Sequence, residues 1–161
     1  MSDGFVLLNL LILLTVANGA PVLAGKALAF DAPIDGGWCF YDGRPLFGPS
    51  KTIRGVLVSL VATTVVAELL GWDWRIGVCI SAGAMAGDLA TSFVKRRLGL
   101  PAHDRATGLD QVPEAGLPLL IVQSRLGLGI LDIVVVVGAF ALVALLGSRA
   151  LFQIGMKDRP Y

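Results

Sequence analysis

The sequence predicts an all-α, polytopic membrane protein with about five transmembrane helices and two long cytoplasmic loops. Three observations carry that reading. The 161 residues are 55% hydrophobic and only 16% charged, where a soluble domain carries about 25% charged residues. The mean hydropathy is +0.77. The apolar residues fall in runs approaching the ~20 needed to cross a bilayer, and the charges collect between those runs.

Taken in order, the spans fall at about 5–24, 55–70, 76–93, 112–123 and 126–146, in a single transmembrane domain covering 1–161. The first run, from Phe5, lacks the basic flank of a signal peptide and carries Asp3 instead, so it is read as a retained helix. It is expected to break or end at Pro21, which removes a backbone donor. The second span starts after Ser50-Lys51-Thr52, with Ser50 or Thr52 as its N-cap. A tight connection, Gly71 to Arg75, places Trp72 and Trp74 at the aromatic belt of the membrane surface. In the third span Gly83 and Gly87 form a small-xxx-small pattern that permits close helix approach. The fourth segment is weaker, because Pro113, Glu114 and Pro118 interrupt it; the fifth is unambiguous.

The connections carry the remaining signals. Loop 25–54 is long and polar but holds Trp38, Phe40, Tyr41 and Phe47, which argues for order with function rather than a linker. Loop 95–111 opens on Lys95-Arg96-Arg97. Lysines and arginines concentrate in these two loops and in the tail, so the positive-inside rule puts both loops and the C-terminus in the cytoplasm and the N-terminus outside. Cys39 and Cys79 have neither metal nor disulfide-framework spacing. The single His103 cannot build a multi-histidine site.

Chemistry concentrates between Gly87 and Gln111. Asp88, Ser92 and Lys95 are spaced by four and three, which puts them on one helical face. A carboxylate at the centre of a membrane helix costs roughly 2.5–3.5 kcal/mol on insertion scales, so Asp88 needs a reason. Two carboxylates, Asp88 and Asp110, flank the cationic run, and Lys51, Thr52 and Arg54 lie on the same expected side. Mg²⁺ takes one or two carboxylates plus substrate phosphates and waters, and lysines and arginines neutralise a polyphosphate. These are the parts of a phosphoryl- or nucleotidyl-transfer site at a membrane surface. The stretch Gly43 to Thr52 is not a P-loop, since Pro49 and Ser50 separate the glycine from Lys51-Thr52.

Six stretches in this order resemble the CDP-archaeol synthase family, membrane CTP-transferases related to CDP-diacylglycerol synthases. They are Ala17 to Pro21, Pro33 to Gly37, Tyr41 to Gly48, Ser50 to Gly55, Gly87 to Gly99 and Leu109 to Gln111. The resemblance implies transfer of CMP from CTP to an isoprenoid-ether, or acyl, glycerol phosphate lipid, with release of pyrophosphate. It implies Asp88 and Asp110 as Mg²⁺ ligands, and these two with Lys95 and Arg96 as the catalytic set. Lys51, Arg54 and Arg97 would join Lys95 and Arg96 in binding the triphosphate and the lipid phosphate. Asn18, Asp42, Arg44, Thr52 and Ser92 would shape the pocket. After Gln111 this chain departs from the family pattern, and Glu114 stands one position later than the acidic residue expected there.

Two other readings compete. A small ion or solute transporter would use Asp88 and Glu114, but it also calls for polar residues spread through several spans, and the central parts of the second and fifth are almost wholly apolar. A non-catalytic scaffold would leave Asp88 dispensable. The expected partners are CTP, the lipid phosphate and the bilayer; nucleic acid is not among them, and a homodimer is left open.

Overall fold

The computed structural model describes residues 3–27, 30–100 and 110–153. Five helices account for most of them: α1 (Asp3–Ala27), α2 (Ile53–Leu69), α3 (Trp74–Arg97), α4 (Gln111–Leu126) and α5 (Ile130–Gln153). Among the described residues there are no strands, only two isolated bridges, Pro33 with Thr52 and Cys39 with Pro45. His103, Arg105 and Leu109 of the basic loop, and Lys157 and Arg159 of the tail, lie outside the described residues.

Three helices contain segments long and apolar enough to cross a membrane, Gly4–Gly25, Trp74–Arg97 and Ile130–Arg149. The other two, α2 with 17 residues and α4 with 16, reach only about 24–26 Å at ~1.5 Å per residue. The chain is a multi-pass membrane protein. Its helices close into a ring: α1 packs on α2, α2 on α3, α3 on α4, α4 on α5, and α5 returns to α1, with α1 also touching α3. The apolar core that includes Leu10, Leu13, Leu14, Ile80, Leu119, Val122 and Phe140 fills this ring.

Several expectations change. Helix α1 does not stop at Pro21 but runs on to Ala27. The reason lies in a neighbouring helix. Pro21 has no N–H to offer the carbonyl of Ala17, four residues earlier, and Ser59 of α2 takes its place, its hydroxyl donating to that oxygen at 2.8 Å. Ser81 of α3 lies 2.7 Å from Ser59, so one buried pair of hydroxyls ties three helices together. Prolines do not break α4 either. Pro113 sits in the first turn, where its N–H is not required, and Pro118 lies inside the helix. The fifth helix starts at Ile130 rather than near 126, because α4 continues to Leu126 and ends on Gly127 in the left-handed conformation, φ +65°. Trp72 is not a belt residue: it is buried with the core, while Trp74 is half exposed.

The small residues of α3 act as expected. A Cβ on Gly83 would lie 2.7 Å from the Cα of Pro118, and one on Gly87 would collide with the carbonyl of Pro113. Helices α3 and α4 therefore touch backbone to backbone, which a side chain at either glycine would prevent. That contact brings Asp88, the residue after Gly87, up to the start of α4.

Candidate active site

The end of α1, the start of α2, the later part of α3, the start of α4 and the later part of α5 enclose a cavity of about 780 Å³. Its polar wall carries Asn18, Lys51, Thr52, Arg54, Asp88, Lys95, Asp110 and Glu114. Its apolar wall is made by side chains such as Val22 of α1, Met85 and Leu89 of α3, and Phe140, Val143 and Ala144 of α5. One face of the space thus suits charged phosphate and the other hydrocarbon.

Each polar residue has a local reason for its position. Thr52 caps α2, its hydroxyl accepting from the N–H of Gly55 at 3.1 Å. Asp110 stands at the N-cap position of α4 without a side-chain capping bond. The amino ends of α2 and α4 therefore both stand at the cavity wall, and the positive end of a helix dipole favours an anion there. Asn18 donates to the carbonyl of Leu14 at 3.0 Å, a bond within its own helix, while lining the cavity.

Ion pairs connect the rest. The Lys51 ammonium is 2.5 Å from both oxygens of Asp88. Lys95 lies 2.9 Å from one oxygen of Asp110 and donates to the other at 3.0 Å. Arg54 pairs at 2.5 Å with Asp31, a partner that sequence spacing gave no means of choosing. The two aspartates, expected as metal ligands, each hold a lysine in this structure. Glu114 adds a further acidic group on the same cavity wall as Asp88, Lys51 and Asp110.

Other candidates stand elsewhere. Ser92 is buried and does not line the cavity. Arg96 is buried against Gly48, with a Cβ on that glycine falling 3.8 Å from the arginine Cδ. Asp42, Arg44 and Arg97 form a separate cluster off the cavity wall. Arg97 donates to Asp42 at 2.9 Å and to the carbonyls of Arg44 and Pro45 at 3.2 and 2.6 Å. Arg44 donates in return to the carbonyls of Arg96 and Arg97. The sequence also hid the organiser of the 30–50 strap, Asp35. Its carboxylate accepts from the N–H groups of Phe47, Gly48 and Gly37 at 2.9, 3.1 and 3.0 Å. Burial acts to raise its pKa, but these three donors outweigh burial and hold it below 3.8.

Among the described residues, no three His, Cys, Asp or Glu side chains are gathered closely enough to hold a metal by themselves. The donor set still fits Mg²⁺. Such an ion is usually held by one or two carboxylates and completes its shell with phosphates and waters, and Asp88 and Asp110 face one cavity beside cations suited to phosphate.

Comparison with known proteins identifies the family and the fold. The CarS-like CDP-archaeol synthase family matches residues 72–161. The chain is 43% identical over 102 residues to a CDP-archaeol synthase of Hyperthermus butylicus, covering 60% of this chain and 59% of that protein. It is 39% identical over 130 residues to a CDP-archaeol synthase of Saccharolobus islandicus, covering 76% of each. The solved structure of an intramembrane enzyme for archaeal membrane lipid biosynthesis superposes with a TM-score of 0.76 at 32% identity, covering 86% of this chain and 90% of that one. By the matched family and this shared fold, the chain belongs to the CDP-archaeol synthase family, CTP-dependent cytidylyltransferases acting on membrane lipid phosphates.

Proposed function

We propose that the cavity transfers CMP from CTP to the phosphate of an isoprenoid-ether glycerol phosphate, releasing pyrophosphate and giving a CDP-activated lipid. The observation that carries this reading is one space with a cationic, carboxylate-bearing wall and an apolar wall. A lipid phosphate presents a charged head and a hydrocarbon tail to the same site, and so needs both.

In the reaction an oxygen of the lipid phosphate attacks the α-phosphorus of CTP. A new P–O bond forms there, the bond to the β-phosphate breaks, and the electron pair leaves with pyrophosphate. No protein nucleophile is needed, so the work is positioning and charge stabilisation. Lys51, Arg54 and Lys95 bind phosphate oxygens together with the amino ends of α2 and α4. Lys51 and Lys95 neutralise Asp88 and Asp110 before substrate arrives and turn to phosphate afterwards, freeing the two carboxylates for Mg²⁺. When bound, the ion offsets the charge of the phosphates and of the leaving pyrophosphate. Met85, Leu89, Val143 and their neighbours take the start of the lipid chains. All these residues belong to one copy of the chain, so the reading does not require a homodimer. The cavity end of the bundle faces the cytoplasm in this reading, in keeping with the lysines and arginines of the 25–54 and 95–111 loops.

The test is turnover. Purified protein in detergent, supplied with labelled CTP, Mg²⁺ and a panel of ether- and ester-linked lipid phosphates, is expected to form CDP-lipid and to stop when the metal is chelated. Asp88→Asn and Asp110→Asn are each expected to lower kcat/KM by at least about a hundredfold, in line with loss of a transition-state contact of roughly 3 kcal/mol. Wild-type protein inert with every lipid phosphate and nucleotide would overturn the reading.

A further inference from the structure

We infer that Arg97 is a positioning residue, which together with Arg44 and Asp42 clasps the 30–50 strap to the carboxyl end of α3 and so sets where Lys51 stands. This rests on the reading that Lys51 contacts substrate phosphate. The same arginine, met as part of a basic run, suggests a phosphate ligand; its surroundings argue otherwise.

Both Nη groups of Arg97 are taken by protein acceptors, and its guanidinium packs on an aromatic pair. One Nη donates to Asp42, and the other to the carbonyls of Arg44 and Pro45. The guanidinium carbon lies against the edge-to-face pair of Phe40 and Phe93, 4.8 Å from one ring centroid and 5.0 Å from the other. Its Nε is shut off from solvent. The strap replies through Arg44, whose guanidinium bonds the carbonyls of Arg96 and Arg97 at the end of α3. Those carbonyls belong to the last turn; that of Arg96 also accepts from the N–H of Gly99 at 3.1 Å, and among the described residues no i+4 helical donor reaches either. Gly99 follows at φ +75°, a left-handed conformation that favours glycine, beside the Arg44 guanidinium. Asp42 also fixes the turn, accepting from the N–H of Arg44 at 3.1 Å. None of the three lines the cavity.

The strap ends on Lys51, whose carbonyl accepts from Ile34 N–H at 2.8 Å. Asp88 stands nine residues before Arg97, about 14 Å back along the same helix. The clasp and the Lys51–Asp88 pair therefore join strap and helix at two points. Opening the clasp lowers the fraction of molecules with Lys51 in place, and apparent substrate affinity falls by that fraction while turnover of the filled site does not.

Charge and shape separate the clasp from a phosphate contact. Lys keeps the charge of Arg but is a point charge without the planar fork that spans Asp42 on one Nη and the Arg44 and Pro45 carbonyls on the other. Asp42 gives the opposite sign in the two cases, since removing a carboxylate near a polyphosphate strengthens binding. Arg97→Lys, Arg97→Ala and Asp42→Ala are compared with wild type in full-length protein, with the thermal midpoint checking the bundle. We expect KM for CTP to rise about tenfold in all three, kcat to stay within about twofold, and limited proteolysis to cut residues 36–46 several times faster. Arg97→Lys behaving as wild type while Arg97→Ala does not, a lower KM in Asp42→Ala, or unchanged proteolysis would each overturn the clasp. The proteolysis needs no turnover, so it still decides the clasp if wild type forms no CDP-lipid.

Discussion

Lys51 and Asp88 lie 37 positions apart in the chain, yet the lysine ammonium sits 2.5 Å from both carboxylate oxygens. Each side chain is about one-fifth exposed, 22% and 21%, so neither charge is fully solvated and each is the other's principal compensation. The pair also spans the junction between the strap and α3.

Removing one partner should therefore cost more than removing both. Lys51→Met is expected to lower stability by about 1–2 kcal/mol, between the values for surface and buried pairs. The double variant Lys51→Met with Asp88→Asn should recover most of that loss while remaining inactive. Thermal midpoints in detergent, read beside CDP-lipid formation, test this; a double variant no more stable than the single would sink it.

Backbone contact between α3 and α4 makes a second prediction. Gly87→Ala and Gly83→Ala each force a Cβ into α4 and are expected to destabilise by about 1–3 kcal/mol, as overpacking does. Both should also lower activity by moving Asp88 away from Asp110. Gly116→Ala, with nothing within 4 Å of its Cβ, is the control and should be neutral or slightly stabilising. Equal effects at all three glycines would contradict the close approach.

The carbonyl that Pro21 leaves without a partner gives a third. Ser59→Ala removes the hydroxyl that bonds Ala17, and interhelical bonds of this kind contribute about 0.6–2 kcal/mol. Restoring a backbone N–H with Pro21→Ala in the same chain should return most of that stability, because the helix then satisfies its own carbonyl. Stability is the right readout, since Pro21 also lines the cavity. Ser59→Ala should thus cost clearly more in the wild-type chain than in the Pro21→Ala background. Equal costs in the two backgrounds would show that the hydroxyl does not replace the missing donor.

The fourth concerns pH. Asp35 titrates below its ordinary value of 3.8 when the strap is formed. A depressed carboxylate contributes stability that is complete above the unfolded pKa and is lost as pH falls through the folded one. Protease resistance of residues 36–46 should therefore hold from neutrality down to about pH 4 and fail below it. Asp35→Asn should weaken the strap at neutral pH and remove this acid dependence. A strap equally resistant in Asp35→Asn would separate the carboxylate from strap order.

Much of this arrangement was legible in the residues, for physical reasons that differ by element. The spans are set by apolar length, a local property, so the three longest helices emerged plainly. Gly83 and Gly87 announced a close helix contact through spacing alone. An N-cap at Ser50 or Thr52 followed from their place before an apolar run, and the structure gives the role to Thr52. Asp88 stood out because an ionised group inside an apolar run has few inexpensive explanations. Prolines misled, because Pro21 and Pro118 are judged locally as breakers, while a hydroxyl on another helix satisfies the carbonyl freed by Pro21.

The sequence by itself determined a multi-helix membrane protein, its family, and the charged residues from which a nucleotidyl-transfer site is built. Only the tertiary structure decided which charges meet. Side chains of similar chemistry, Lys51, Lys95 and Arg97, diverge into an Asp88 pair, an Asp110 pair and a strap clasp. Charge type is written in the residue, but partnership depends on distances between segments tens of positions apart, which helix packing alone fixes.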